Sequence, residues 1–507
     1  MMSHTLKFNA IASAALLAAC GGGGSGDPAV PETPVASIPP PVVSVAPTTE
    51  PALDAAKAFL AKFDALQSTN ITTGAAANSL SDGCYLANGR SKAYLVAEFD
   101  IDPLSVAGRQ FLIGSTRSAP QVIAERTTTN SDGTTRREID IRYVVNYKDG
   151  SKNDLTLQDT IISGSSASSK MADGSTCATP ESTSDWRFFG NRKIVSTFVN
   201  ATNETIDRTA LATGLAITPP KLHRKFVTLG VNDPAKVATY AIISGPGLTT
   251  TVGGIAMTLK LVAPRLLRDA PEFAGKNGNF VNWKEDDNFR ICRTTSGNFD
   301  FAETANCVSQ GATSDRWEVS NADPVALDTA FAAYGFAAGG IYTIKVYGDD
   351  GWKTVNGQLG KTPIATYAST LEHLPFSAAA LAPAGASSLY PALITSSKSA
   401  ADVATAIRAK AAYSLNLTWS APLVMPDGRP TAHTNIYFFE QGRASAGTAF
   451  NPASRQVGVE IAGATATALN ATVPAAAAQL VTPTYAEYGI QYTNRNGNTI
   501  RAAYAWQ

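Results

Sequence analysis

The stretch "REIDIRYVVNYKDG" sets Ile139, Ile141, Tyr143, Val145 and Tyr147 in alternation with Glu138, Asp140, Arg142 and Asn146. A two-residue period sends the two sets to opposite faces of an extended strand, so the segment needs a sheet with one covered and one wet face. Asp132-Gly133 and Asp149-Gly150 bracket it, and Asp-Gly readily adopts the backbone angles of a tight hairpin. The prediction is a three-strand antiparallel meander from about Gln121 to Ile162.

Upstream, "TTEPALDAAKAFLAKFDALQ" puts Leu53, Ala56, Phe59, Leu60, Phe63 and Leu66 on one face of a helix, with Thr49 as N-cap and Pro51 in the first turn. Downstream, "DWRFFGNRKIVSTFV" reads as a further hairpin turning at Gly190-Asn191. One helix on a curled antiparallel sheet ending in "WRFFGNRK" resembles the cone-shaped domains related to nuclear transport factor 2, over Ala52 to Asn203. That resemblance implies a pocket on the concave side. In "NDLTLQDTIISG", Asp159 interrupts a face otherwise formed by Leu155, Leu157 and Ile161. Tyr143 and Asp159 are the candidate pocket residues, with Asp159 either a buried acid of raised pKa partnered by Tyr143 or a solvated carboxylate near the strand end. The second is the expectation, because unpaired charges are almost never fully buried.

The N-terminus carries a different signal. "FNAIASAALLAA", Phe8 to Ala19, falls short of the roughly 20 apolar residues needed to cross a bilayer. After Lys7 and before small residues it reads as a secretory signal peptide. Leu17-Ala18-Ala19-Cys20 resembles the lipobox of bacterial lipoproteins, which implies that Cys20 is acylated and becomes the mature N-terminus. An ordinary cleaved signal ending in Ala-Ala-Cys is the alternative. Gly21 follows the cysteine where enteric relatives retained at the inner membrane carry Asp, so the resemblance implies the outer membrane. "DPAVPETPVASIPPPVVSVAPTTEP" is proline-dense without a helical period, and reads as an extended stalk.

Cys84, Cys177, Cys292 and Cys307 remain after Cys20. An even number in an exported chain suggests disulfides, and four cysteines allow three pairings. Pairing Cys84 with Cys177 and Cys292 with Cys307 keeps each bridge within one expected domain. A metal site is disfavoured, because His4, His223, His373 and His433 are scattered and no CxxC spacing occurs.

At 507 residues the chain is too long for one core. From Thr205 onward, "RKFVTLGV", "ATYAIISGPGL", "GGIAMTLKLV", "RWEVS" and "GGIYTIKVYGDDGWKTVNG" read as short strands with Gly, Pro and Asn punctuation, the pattern of a β-sandwich. "DVATAIRAKAAYSLNLTWSAP" passes from a short helix into a strand with Leu415, Leu417 and Trp419 inward. "YAEYGIQYTNRNGNTIRAAYAWQ" is a hairpin in which Tyr488, Ile490 and Tyr492 face Ile500, Ala502 and Tyr504. The "LTWSAP" strand with this terminal hairpin is similar to fibronectin type III and other immunoglobulin-like modules, over Phe376 to Gln507. The expected fold class is therefore multidomain, an α+β cone-like domain followed by β-sandwich modules. The expected divisions are signal peptide 1–19, lipidated stalk 20–50, cone 51–204, sandwich with a disulfide-closed insertion 205–375 and terminal module 376–507.

Charged residues make up 16% and sum to zero, which removes the electrostatic basis of nucleic-acid binding. The chain holds no nucleophile elbow, zincin or Walker motif and no dinucleotide-binding GxGxxG after a strand, so no cofactor, metal or catalytic residue is assigned. The acidic turns "KEDDNF" and "GDDGW" lack the ligand spacing of a calcium loop, and Trp283 and Trp352 beside them read as core rather than a sugar platform. The expectation is a non-enzymatic scaffold of the bacterial cell envelope. It would be joined to the membrane through its lipid anchor and engage an envelope protein or glycan. A ligand or glycan binder using the cone, and a hydrolase with dispersed carboxylates, are the alternatives.

Overall fold

The computed structural model describes residues 45–67, 79–94, 114–146, 152–248, 251–252, 255–256, 258–263, 265–266, 289–294, 316–349, 354–355, 358–359, 362–385, 388–390, 392–395, 399–420, 433–443, 455–460, 468–473, 482–493 and 499–507. The signal peptide, Cys20, the stalk to residue 44, Asp149-Gly150, Trp283, Cys307 and Trp352 lie outside them.

Helix α1 (Ala52–Gln67) packs on a sheet built from β1 (Gln121–Thr129), β2 (Thr135–Asn146), β3 (Lys152–Ser165) and β4 (Ser182–Phe188). β1, β2 and β3 form the expected meander, with β4 beyond β3. Gly133 turns the first hairpin at φ +82°, and Asp132 accepts the Thr134 N–H at 3.0 Å. Ala55, Ala56, Phe59 and Leu60 meet Ile139, Ile141, Tyr143, Val145, Ile161 and Phe188 in one core. Burying each large apolar side chain contributes about 1.5–3 kcal/mol, which is what the period-two face of β2 supplies.

Several local expectations need correction. Leu53 is 42% exposed, because it lies about 105° around the helix from the centre of the stripe formed by Ala55, Ala56, Phe59 and Phe63. The first helical bond runs from the Ala55 N–H to the Pro51 carbonyl at 3.0 Å, so Pro51 and not Thr49 holds the cap position. Glu138, on the wet face of β2, is 3% exposed, since Arg136 and Arg126 enclose its carboxylate. Gly190-Asn191 makes no hairpin: β4 pairs with β3, and the next strand joins another sheet. After Phe188 the chain is held by Thr160, whose carbonyl accepts the Phe189 N–H, and by Leu86. Gly190 sits at φ +79° with the Leu86 carbonyl oxygen 2.2 Å from where a Cβ would stand.

Apart from two-residue strands, the remaining strands among the described residues are β5 (Ser196–Thr209), β6 (Ala216–Asn232), β7 (Tyr240–Ser244), β8 (Thr258–Val262), β9 (Arg290–Thr294), β10 (Arg316–Asn321), β11 (Gly340–Tyr347), β12 (Ala365–Leu371), β13 (Ala392–Thr395), β14 (Tyr413–Ser420), β15 (His433–Arg443), β16 (Arg455–Glu460), β17 (Ala468–Val473), β18 (Thr482–Thr493) and β19 (Thr499–Trp506). Among them lie α2 (Pro324–Ala332), the short α3 (Ala378–Leu381) and α4 (Ala400–Arg408). One sheet has the order β9-β8-β7-β11-β12; a second runs β10-β6-β5-β19-β18-β15-β16; and β13-β14-β17 form a third. Val199, Ala201, Val227, Leu229 and Val231 of the second sheet share a core with Ala241, Ile243, Leu259, Leu261, Ile344 and Val346 of the first. The chain is thus β-rich, with several sheets.

β18 and β19 pair as expected, Tyr488 opposite Tyr504, Ile490 opposite Ala502 and Tyr492 opposite Ile500. β19 also pairs in parallel with β5, Thr499 opposite Thr202 through Trp506 opposite Thr209. The expected division at 204/205 therefore falls inside β5, and strands from both sides of the division at 375/376 lie in one sheet. The side chains of Leu415, Leu417 and Trp419 lie outside the described residues, as does that of Cys292 in β9.

Candidate functional site

The alternation in β2 and β3 brings Tyr143 and Asp159 to the α1 side of the sheet as a diagonal pair, Asp159 standing opposite Ile141, two residues from Tyr143. The Tyr143 hydroxyl donates to Asp159 Oδ2 at 2.5 Å. Tyr143 is buried and Asp159 half-buried, so the expectation of a solvated carboxylate does not hold. Burial pushes the Asp159 carboxyl up to about 6, against the opposing pull of the Tyr143 hydrogen bond and the nearby Arg117 charge. Burial and the adjacent carboxylate together drive the Tyr143 phenol well above its ordinary range.

Two residues that the sequence did not single out complete the cluster. Arg117, in the short strand Thr116–Arg117 beside β2, donates from Nη1 to Asp64 Oδ1 at 2.8 Å and from its backbone N–H to Oδ2 at 2.9 Å. Its guanidinium lies 4.2 Å from the centre of the Phe63 ring. Asp64 and Phe63 are neighbours on α1, which clamps Arg117 between a carboxylate and an aromatic face. Their signal was present as an acidic residue beside the apolar stripe, but the partner comes from 53 residues away. The cluster combines a phenol, a carboxyl titrating near neutrality and a fixed cation against apolar walls. It can exchange a proton or orient a polar group, and Asp64 is committed to Arg117.

On the opposite side of the sheet a disulfide joins Cys84 to Cys177, as the in-domain pairing anticipated. Beside it Arg187 and Asp82 form a buried ion pair at 2.8 Å. The second Asp82 oxygen accepts the Cys84 N–H at 2.7 Å, and Arg187 donates also to the carbonyls of Gly164, Thr183 and Asp185. A buried pair is tolerable only when its other bonding capacity is filled in this way. Among the described residues no group of three or more metal-ligating side chains occurs. Asp349 of the "GDDGW" turn accepts from the Tyr240 hydroxyl at 3.2 Å.

No family model matches the chain, and no curated protein matches it. Among solved structures, one match is described as "Structural insight into host cell surface retention of a 1.5-MDa bacterial ice-binding adhesin". It is 10% identical, spans 78% of this chain and 90% of that one, and has a TM-score of 0.14. A likeness of that size says nothing about function.

Proposed function

We propose that the chain is a lipid-anchored, extracytoplasmic β scaffold that presents surfaces to envelope partners, a protein or a glycan, rather than catalysing a reaction. The observation that carries this reading is the Cys84–Cys177 bridge, because structural disulfides belong to oxidising compartments outside the cytoplasm. The lipobox-like Leu17-Ala18-Ala19-Cys20 supplies the anchor and residues 27–51 the stalk. The β5–β19 pairing supports the scaffold role, since it ties the last strand of the chain into the sheet that begins at Ser196. On this reading the cone resembles nuclear transport factor 2 domains in architecture, and the sandwich resembles immunoglobulin-like modules.

A second reading is favoured by one contact. The Tyr143–Asp159 hydrogen bond at 2.5 Å puts a near-neutral acid beneath α1, as a cone that binds a small polar ligand would require. Complementation of a deletion strain separates the two, scored by whichever envelope defect the deletion causes. The scaffold reading expects Asp159→Asn to restore the wild-type phenotype and Cys20→Ser to fail. Restoration by Cys20→Ser would overturn the anchor, and failure of a folded Asp159→Asn protein would transfer the function to the cone.

A further inference from the structure

At one end of the seven-strand sheet, polar side chains from four distant stretches meet, the innermost of them buried. His223 and Lys225, two apart on β6, are 6% and 5% exposed. The Lys225 ammonium meets Asp328 of α2 at 2.5 Å. Asp328 in turn accepts from the Ser377 hydroxyl at 2.7 Å and from the N–H groups of Ala378 and Ala379. Asn203 of β5 donates to the Phe376 carbonyl at 2.9 Å. Tyr390 covers His223, with ring centres 5.8 Å apart, and packs with Leu381 on Ile500 of β19. Phe376–Leu381 and Leu389–Tyr390 thus form a cover over β5, β6 and β19. Among the described residues, no group hydrogen-bonds the buried His223 Nδ1 beneath it.

We propose that His223 is the proton-sensitive element of a latch: neutral, it lies sealed under Tyr390, and on gaining a proton it releases the Phe376–Leu381 and Leu389–Tyr390 cover from the sheet. A neutral imidazole tolerates this site, whereas an imidazolium adds a charge and a second donor where, among the described residues, nothing hydrogen-bonds Nδ1. The groups around it do not reverse this. Lys221 and Lys225 flank it on β6, and each is already paired, with Asp207 of β5 and Asp328 of α2. Asp323, at the α2 cap, is exposed and accepts the Val325 N–H. Asn203 and Thr205 on β5, and Asn321 opposite on β10, are neutral. Burial, reinforced by Lys221, outweighs the three aspartates and holds the imidazole below its ordinary range. The folded pKa is depressed, so the closed cover keeps its full stability above the unfolded value of about 6.5 and loses it as pH falls through the folded value.

The test is hydrogen exchange on the full chain, comparing wild type with His223→Gln from about pH 7.5 to about pH 5. Taking the ratio of the two proteins at each pH cancels the intrinsic pH dependence of exchange. The reporters are the N–H groups of Ala378, Ala379, Leu381 and Leu389, each bonded within the cover or to Asp328. Wild-type exchange at these sites should rise on acidification relative to the variant, by about tenfold for each unit of pKa depression, while β7 and β11 stay protected. Equal exchange in the two proteins across the range would overturn the latch, as would a rise spread evenly over β7 and β11. If His223→Gln does not fold, NMR titration of the wild-type ring decides. Titration together with cover opening is expected, and titration with the cover amides still protected would refute it.

Discussion

Replacing both cysteines of the bridge, Cys84→Ala with Cys177→Ala, tests the physical reading of the sheet β1–β4 and the helix packed on it. The bond joins positions separated by 93 residues. In the chain-entropy account, closing a loop of that length restricts the unfolded state by about 4–5 kcal/mol. Cys84 is fully buried and Cys177 nearly so, and alanine in both places keeps the surroundings apolar. The loss should therefore be dominated by the unfolded chain. For a domain of this size it corresponds to a fall in melting temperature on the order of 10–20 °C. The bridge also holds the 169–177 turn against Ile162 and Phe189, so protection of β2 and β3 should fall while that of β7 and β11 does not. The assay is urea titration followed by hydrogen exchange, with peptides from β2, β3, β7 and β11 read separately. An unchanged midpoint for β2 and β3 would refute the reasoning, and so would an equal loss in β7 and β11.

Three other outcomes follow from the same structure. Arg187→Ala strands the fully buried Asp82 without its cation, and urea melts followed through β3 and β4 should lose about 3–5 kcal/mol. Asp159 has a folded pKa raised to about 6, above the unfolded value of about 3.9, so its contribution is present in full below the unfolded value and is lost as pH rises through about 6. Thermal melts should show wild type gaining on Asp159→Asn between about pH 7 and about pH 5, by on the order of 1–2 kcal/mol; a gap independent of pH would contradict the burial of this acid. Trp419→Ala, in the β14 strand, should destabilise the sheet by about 3–5 kcal/mol if the Leu415–Trp419 alternation faces the core, and an unchanged melt would refute that expectation.

What could be read from the residues was what a strand or turn encodes locally. The alternation from Ile139 to Val145 and the hairpin register of Tyr488 opposite Tyr504 both follow from a period of two plus a turn, and both appear in the structure. The parallel partnership of β5 and β19 was not legible. Thr202 and Thr499 are joined by no short connection, and an alternating strand does not name its neighbour. Glu138 was read as solvated because its pattern is that of a wet face; only the approach of Arg126 and Arg136 buries it. Asp159 stands out in the sequence as an irregularity in an apolar series, but the expectation that it is solvated is overturned by its contact with Tyr143. The clamp of Arg117 by Asp64 and Phe63 needed the helix to be docked. His223, Lys225, Asp328 and Tyr390 each looked unremarkable in their own segment, and their meaning arises from being closed into one volume.

The most direct test of the central proposal, anchorage through Cys20, is metabolic labelling with radioactive palmitate in cells expressing wild type or Cys20→Ser, followed by fractionation. On this proposal the sulfur is the acyl acceptor, and the apolar run before it falls short of the roughly 20 residues that would hold the chain in a bilayer unaided. Wild type should incorporate label and sediment with the membrane, and Cys20→Ser should carry none and be released. Equal label in the two proteins, or a membrane-bound Cys20→Ser protein, would contradict the account.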